Sequence, residues 1–80
     1  MKRLYWDYYG PMGSGTADHF RRHLDQFIID LSLGECETGT FSSSPTHATA
    51  WCNADGEALE TLVARLKPHR VEPANLSDSN

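Results

Sequence analysis

The sequence has no long apolar run and few cysteines, and each shortage excludes a class of protein. No stretch approaches the roughly 18–20 apolar residues that a transmembrane helix needs. The first ten residues, MKRLYWDYYG, lack the apolar centre of a secretory signal peptide. Two cysteines are too few to staple a disulfide-rich secreted scaffold. We therefore expect a cytoplasmic protein whose two thiols are reduced and which has no membrane segment.

Positive charge is also in short supply. Seven Lys and Arg stand against eleven Asp and Glu, which gives a formal net charge of −4 over 80 residues. Proteins that bind DNA or RNA draw much of their affinity from cations that neutralise phosphates. The charge balance therefore disfavours nucleic acid as a partner and is compatible with a protein partner.

What the chain does contain is enough apolar sequence for one small core. Hydrophobic residues make up 39% of the chain and charged residues 22%, which is close to a globular composition. A chain of this length has room for one domain. We expect a single α+β domain over residues 1–73 and a flexible polar tail over residues 74–80.

Six segments follow one another along that domain. Lys2–Tyr9 is rich in aromatic residues and predicts a strand, and the apolar spacing from Ala17 onward predicts a helix that ends at Gly34. Ser14 or Thr16 is the expected N-cap of this helix. The remaining segments are a hairpin of Glu35–Phe41 and Thr46–Cys52, a helix that begins after Asp55 and ends before Pro68, and a short strand at His69–Glu72.

The resulting order, β-α-β-β-α-β, is typical of the ferredoxin-like fold. That fold is a two-layer sandwich in which both helices cover one face of an antiparallel sheet. Many unrelated functions occur on it, so the order predicts an architecture and no activity.

A glycine-rich segment joins the first strand to the first helix. Backbone N–H groups at a helix N-terminus can bind a phosphate or carboxylate. The candidate anion-binding residues are Gly13, Ser14, Gly15, Thr16 and Arg21. No lysine follows the glycines as a P-loop requires, so the alternatives are an anion site for phosphate esters or acyl phosphates and an ordinary turn.

Two histidines stand four residues apart on the first helix. His19 and His23 therefore share one flank of the helix and could hold a metal ion if a third ligand, such as His47, His69 or a cysteine, came from elsewhere. The alternative is a pair of solvent-facing histidines, and no cofactor is expected.

The two cysteines fall on the two strands of the predicted hairpin. A hairpin closed over Ser43, Ser44 and Pro45 would place Cys36 directly opposite Cys52, on one side of the sheet. The pair could oxidise or share a metal, or it could be two small apolar side chains beneath the helices.

Aromatic residues alternate along the predicted strands. The small residues Ala48, Ala50 and Cys52 suit the face beneath the helices, which leaves the opposite set on the open face of the sheet. The candidate interface residues on that face are Tyr5, Tyr9, Phe41, His47 and Trp51. An exposed aromatic cluster is typical of a binding surface or an oligomer interface, and the alternative is that several of these rings belong to the core.

No nucleophile, base and orienting group occur at a recognisable spacing, so we expect a module without enzymatic activity. The leading hypothesis is a small module that binds a protein partner, or a second copy of itself, through the open sheet face. Anion binding at the glycine-rich segment and metal binding by the histidine pair are the alternatives.

Overall fold

The computed structural model describes residues 1–74. Residues 75–80, the greater part of the tail expected from the sequence, lie outside the described residues. The elements in chain order are β1 (Lys2–Tyr9), α1 (Gly13–Asp30), β2 (Glu37–Ser44), β3 (His47–Ala54), α2 (Gly56–Leu66) and β4 (Arg70–Pro73). In residues 1–74 neither helix is both long and apolar enough to cross a bilayer.

The four strands form one antiparallel sheet in the order β2-β3-β1-β4, so β1 and β3 are the central strands. With the two helices packed on it, the sheet makes an α+β domain of two layers. The indole N–H of Trp6 on β1 donates a hydrogen bond of 3.0 Å to the carbonyl oxygen of Leu66 at the end of α2. This bond satisfies the polar atom of a fully packed Trp ring and ties α2 to the sheet.

The core forms where the apolar stripe of α1 meets small side chains on β3. Ala17, Leu24 and Ile28 of α1 are buried, together with Leu62 of α2. On the sheet side, every second residue of the two central strands is buried in the core: Leu4 and Trp6 on β1, and Ala48, Ala50, Cys52 and Ala54 on β3. The expected division of the strand residues between a covered face and an open face is confirmed.

The predicted start of α1 was wrong. The helix begins at Gly13, with Met12 as its N-cap, and neither Ser14 nor Thr16 caps it. The Thr16 hydroxyl instead donates back to the Met12 carbonyl oxygen at 3.1 Å. A Cβ on residue 13 would lie 2.9 Å from the carbonyl oxygen of Tyr8. Glycine therefore lets the helix begin directly against β1, four residues earlier than the apolar spacing indicated.

The hairpin register also differs from the expected one. The connection between β2 and β3 is the pair Pro45 and Thr46, and a bulge lies between Ser42 and Ser44. Thr38, and not Cys36, is therefore the residue opposite Cys52. The shift is an even number of residues, so each side chain keeps the face that its alternation predicts.

Candidate functional site

The open face of the sheet is the face that the helices leave uncovered. The five predicted interface residues all lie on it: Tyr5 and Tyr9 from β1, Phe41 from β2, and His47 and Trp51 from β3. They are not equally accessible. The Tyr9 side chain is 73% exposed and that of Phe41 is 44% exposed, whereas the other three are half-buried.

Asp7 is at the centre of this face, between Tyr5 and Tyr9 on β1. Its carboxylate accepts two hydrogen bonds from the Arg70 guanidinium, at 3.0 and 3.1 Å, and one of 2.8 Å from the Thr49 hydroxyl. The His47 Nε2 lies 3.0 Å from the same carboxylate. The Asp7 side chain is only 9% exposed, so these partners replace most of its contacts with water.

The environment of Asp7 acts on its pKa in two opposing ways. Burial by itself raises the pKa of the carboxyl group, but the hydrogen bonds from Arg70, His47 and Thr49 and the positive charge of Arg70 lower it further than burial raises it. The pKa of Asp7 is therefore well below its ordinary value, and the group is an anion in the folded protein at any pH near neutrality.

Thr49, His47 and Asp7 bring together a hydroxyl, an imidazole and a carboxylate, which are the groups of a nucleophilic triad. The arrangement does not have the geometry of one. Thr49 is 0% exposed, so no substrate can reach its hydroxyl oxygen. Both contacts of His47 also use the same nitrogen, Nε2, at 3.0 Å to Asp7 and 3.4 Å to Thr49, whereas a triad base uses its two ring nitrogens for two different partners.

Two arginines cover two of the aromatic rings. The Arg3 guanidinium lies 4.5 Å from the centroid of the Trp51 ring, and that of Arg70 lies 4.3 Å from the centroid of the Tyr5 ring. Arg3 also donates a 2.7 Å hydrogen bond to the side-chain oxygen of Asn53. These cation–π contacts cover one face of the Trp51 ring and one face of the Tyr5 ring.

Gly39 explains how Trp51 lies flat on the sheet. Gly39 is opposite Trp51 in the β2–β3 register, and a Cβ on it would lie 2.6 Å from the indole ring. The ring therefore occupies the space that a side chain at position 39 would fill. Any residue other than glycine there would displace the ring from beneath Arg3.

The aromatic surface that remains accessible is at one end of the open face. The Tyr9 ring stacks on the His47 ring, with centroids 4.5 Å apart and planes 11° from parallel. Phe41 is on the edge strand β2, opposite Thr49 and two residues along β3 from His47. We call Tyr9, Phe41 and His47 the aromatic end of the open face.

The predicted anion-binding residues are brought together only in part. Gly13, Ser14, Gly15 and Thr16 form the first turn of α1. The Arg21 side chain instead donates a 3.3 Å hydrogen bond to the Thr38 hydroxyl on β2, and lies 3.6 Å from the Asp25 carboxylate. The Gly13 and Thr16 N–H groups already donate to the carbonyl oxygens of Gly10 and Met12, at 3.0 and 3.1 Å. Anion binding by the glycine-rich segment stays a prediction, which now depends on the N–H groups of Ser14 and Gly15 without that arginine.

His19 and His23 do meet on the surface of α1. Their Nε2 atoms are 3.0 Å apart and their rings pack edge to face. Within residues 1–74, no group of three or more His, Cys, Asp or Glu side chains is placed to hold a metal ion. A third ligand from this chain is therefore not in position beside the pair.

Cys36 and Cys52 are both free thiols, with Cys36 half-buried and Cys52 fully buried. Burial raises the pKa of Cys52 to about 12, and the neighbouring Cys36 thiol adds to the shift. Burial likewise raises the pKa of Cys36. Both thiols are therefore protonated at neutral pH and react slowly, because the thiolate is the nucleophilic form.

An open cavity of about 760 Å³ lies where the end of α1 meets the start of β2. Ile28, Ile29 and Cys36 form part of its apolar wall, and Asp25 and Glu37 are among its polar residues. Both carboxylates already accept hydrogen bonds, from Thr38 and Asn53 respectively. Of the residues that the sequence singles out, Cys36 lines this cavity, and none of the predicted anion-binding, interface or histidine residues does.

The residues that the sequence interpretation missed are the partners of the aromatic rings. Asp7, Thr49 and Arg70 form the polar centre of the open face, and Arg3 covers Trp51. The signal was a charged residue in the middle of an aromatic strand: Asp7 alternates with Tyr5 and Tyr9, so it had to lie on the same face and needed a buried partner.

The chain was compared with protein-family models, with curated proteins and with solved structures, and none of them matches it. The function is therefore argued from the residues of the open face.

Proposed function

We propose that the protein is a non-catalytic interaction module that contacts a second copy of itself through the open face of its sheet. The observation that carries the proposal is the aromatic end, where Tyr9 is 73% and Phe41 44% exposed on a face that the helices do not cover. Exposed aromatic rings on a rigid sheet provide the contact surface that protein interfaces favour.

The charges of the open face favour a second copy over a strongly charged partner. Arg3 and Arg70 provide two positive groups, and Asp7, Glu37 and Glu72 provide three negative ones. Both signs are present on the same surface. A two-fold contact, in which the same patch occurs on both sides, can therefore place unlike charges opposite each other.

The absence of an accessible nucleophile in the Asp7 centre supports a module without catalysis. Its Thr49 hydroxyl is buried, and its Arg70 guanidinium already donates to Asp7 and lies 3.5 Å from Glu72. These two groups fix the conformation of the face, and neither presents a nucleophile to a substrate.

Light scattering coupled to size exclusion tests the proposal. We expect Tyr9→Ser to reduce the association of the purified protein without loss of the folded state seen by circular dichroism. Val63→Thr is the matched control, because it changes an exposed apolar side chain on α2, away from the open face. A wild-type protein that keeps the 9.0 kDa mass of one chain at every concentration would overturn the proposal.

A second candidate function is metal binding at His19 and His23, and it is favoured by one distance. Zinc bonds imidazole nitrogen at about 2.0–2.1 Å in tetrahedral geometry, so two nitrogens bound to one zinc ion stand roughly 3.3–3.4 Å apart. The two Nε2 atoms are 3.0 Å apart, so a small opening of the pair would reach that spacing. Zinc alone should shift the His19 and His23 imidazole NMR signals in the wild type, whereas the His19 signal should not move in His23→Asn. Gln26→Ala, on the same helix, is the control and should respond like the wild type. Unchanged wild-type signals would exclude it.

We also propose that the two-layer domain has the ferredoxin-like arrangement and that the protein is cytoplasmic. The first proposal is supported by the element order together with the sheet order, which is β4-β1-β3-β2 when it is counted from the other edge. The second is supported by two free cysteines in a chain of 80 residues.

A further inference from the structure

β2 is an edge strand, and its outward backbone groups can be identified from the register. The Gly10 N–H donates to the Thr46 carbonyl oxygen at 2.8 Å, one position beyond the Tyr9–His47 pair. The even-numbered residues of β3 therefore direct their backbone N–H and C=O groups at β1, and the odd-numbered residues direct theirs at β2. It follows that Gly39 and Phe41 direct their N–H and C=O groups at β3, while those of Thr38, Thr40 and Ser42 point outward.

The central part of that edge, from Thr38 to Ser42, lacks the charges and prolines that usually keep sheet edges apart. β2 is eight residues long, ETGTFSSS, and contains no lysine, arginine or proline. Its one charged residue, Glu37, is at the first position, and the bulge at Ser42–Ser44 affects only the far end. Natural sheet edges of this length normally carry central charges, prolines or bulges that block pairing with another chain.

The positions of the outward groups select one antiparallel register for two copies of β2. With Thr40 opposite Thr40 of a second copy, Thr38 meets Ser42 and Ser42 meets Thr38. All three pairs join outward-pointing groups and give about six backbone hydrogen bonds. A two-fold axis at Phe41 would extend the paired region into the bulge. A two-fold axis at Gly39 would leave fewer hydrogen-bonded residue pairs within the regular part of β2.

The side chains on the open face fit the same register. Phe41 of one copy would be opposite Gly39 of the other, where the Trp51 ring already lies over the backbone. The 44% exposed Phe41 ring would thus lie beside an aromatic ring across a residue without a side chain. Glu37 would be opposite Ser43, at the two far ends of the contact, so the two Glu37 carboxylates stay apart.

The helices leave room for this pairing. α1 packs against β3 as well as β2, so its axis is set back from the edge of the sheet. If each α1 lies about one strand inside the edge, two copies are roughly 14 Å apart at a strand spacing of about 4.8 Å. Helices in direct contact are about 8–10 Å apart, so the two do not collide.

From these observations we infer that two copies of the chain pair through their β2 edges, about a two-fold axis at Thr40, into one continuous eight-stranded sheet.

The pairing also enlarges the open face. Three strands of eight residues and one of four cover about 440 Å² in plan at a rise of about 3.3 Å and a spacing of about 4.8 Å.

A standard protein interface buries about 800 Å² of each partner. One open face is smaller than that area, whereas two joined faces, at about 880 Å² in plan, are large enough for a standard interface. This consequence rests on the proposed function, whereas the edge pairing does not. If both hold, two edge-paired dimers stack face to face as a tetramer.

Charge exchange at Thr40 tests the edge pairing, because Thr40 meets its own copy on the axis and its side chain is exposed. Thr40→Lys and Thr40→Glu should each raise the dissociation constant of the edge contact about ten-fold, and an equimolar mixture of the two should restore it. Thr46→Lys and Thr46→Glu, in the exposed turn beside β2, are the matched controls and should associate like the wild type. Circular dichroism confirms that each variant is folded.

Molecular mass from light scattering separates the two contacts. If Thr40→Lys and Thr40→Glu each lose association when unmixed and recover it when mixed, the edge pairing is supported. If the Tyr9→Ser protein remains a dimer, the edge contact does not depend on the open face. If Thr40→Lys associates like the wild type while Tyr9→Ser does not, the edge pairing is wrong and the face contact holds. A wild-type chain that is monomeric at all concentrations overturns both.

Discussion

The carboxylate of Asp7 accepts a two-pronged hydrogen bond from the guanidinium of Arg70, at 3.0 and 3.1 Å, and so joins the central strand β1 to the four-residue strand β4. β4 has exposed residues throughout and pairs with β1 over only four positions. The Arg70 side chain also lies over the Tyr5 ring. This one arginine therefore adds a side-chain contact to the short backbone ladder that holds the last strand to the sheet.

Replacement of Asp7 by Asn should destabilise the protein by about 1–3 kcal/mol. The Asn side chain has the size of the carboxylate but no charge. Its NH₂ group would also face the Arg70 and Thr49 donors, which would then lack an acceptor. Urea unfolding measures the change. Glu72→Gln is the control, because Glu72 contacts the same arginine at 3.5 Å from an exposed position and should cost less than about 1 kcal/mol. Equal unfolding midpoints for Asp7→Asn and the wild type would contradict the central role of this carboxylate.

The same carboxylate should make stability fall in acid. Its pKa is lowered in the folded chain, so near pH 4 the unfolded chain binds a proton that the folded chain does not. Acid therefore favours unfolding, and the contribution of Asp7 is fully present above about pH 5 and is lost as the pH falls below about 4. The slope attributable to this one group approaches about 1.4 kcal/mol per pH unit.

The pH dependence is isolated by comparing the wild type with Asp7→Asn in urea titrations over a series of pH values. The difference in stability between the two proteins should be constant near neutrality and should shrink as the pH is lowered. A difference that stays constant or widens in acid would show that Asp7 has an ordinary pKa in the folded state.

Much of the architecture could be predicted from the sequence, because it depends on periodicity. The alternation of Leu4 and Trp6 with Tyr5 and Asp7 fixes the two faces of β1, and the small residues of β3 fix which face lies beneath the helices. The hairpin register could not be obtained in this way. It depends on where the bulge forms among consecutive serines, Ser42 to Ser44, and these residues have nearly equal preferences.

The candidate site was predictable in its positions but not in its chemistry. Alternation placed Tyr5, Tyr9 and Trp51 on the open face, yet their accessibility depends on long-range partners. Arg3 and Arg70 cover two of the rings, and Arg70 is 63 residues from the carboxylate that it binds. Such pairs follow from the strand order, which single-strand patterns do not contain.

The two thiols should differ in reactivity. Cys52 is fully buried with a pKa of about 12, so at pH 8 only about one molecule in ten thousand carries the thiolate. Iodoacetamide should therefore modify the half-buried Cys36 first, as mass spectrometry of proteolytic fragments can show. In denaturant the two should react at similar rates, which is the internal control. Equal rates in the native protein would mean that the β2–β3 region opens readily.

Substitution at two glycines should have opposite effects on stability. In Gly39→Ala the new methyl group would lie 2.6 Å from the Trp51 ring, so the ring must leave its position beneath Arg3, at a cost of about 1–3 kcal/mol. In Gly15→Ala the methyl group meets nothing within 4 Å inside the first turn of α1, and alanine should stabilise the helix by about 0.5–1 kcal/mol. Urea unfolding measures both changes, and tryptophan fluorescence should shift in Gly39→Ala alone because the Trp6 ring stays buried in both variants. A Gly39→Ala protein as stable as the wild type, with unchanged fluorescence, would mean that Trp51 does not lie over residue 39 in solution.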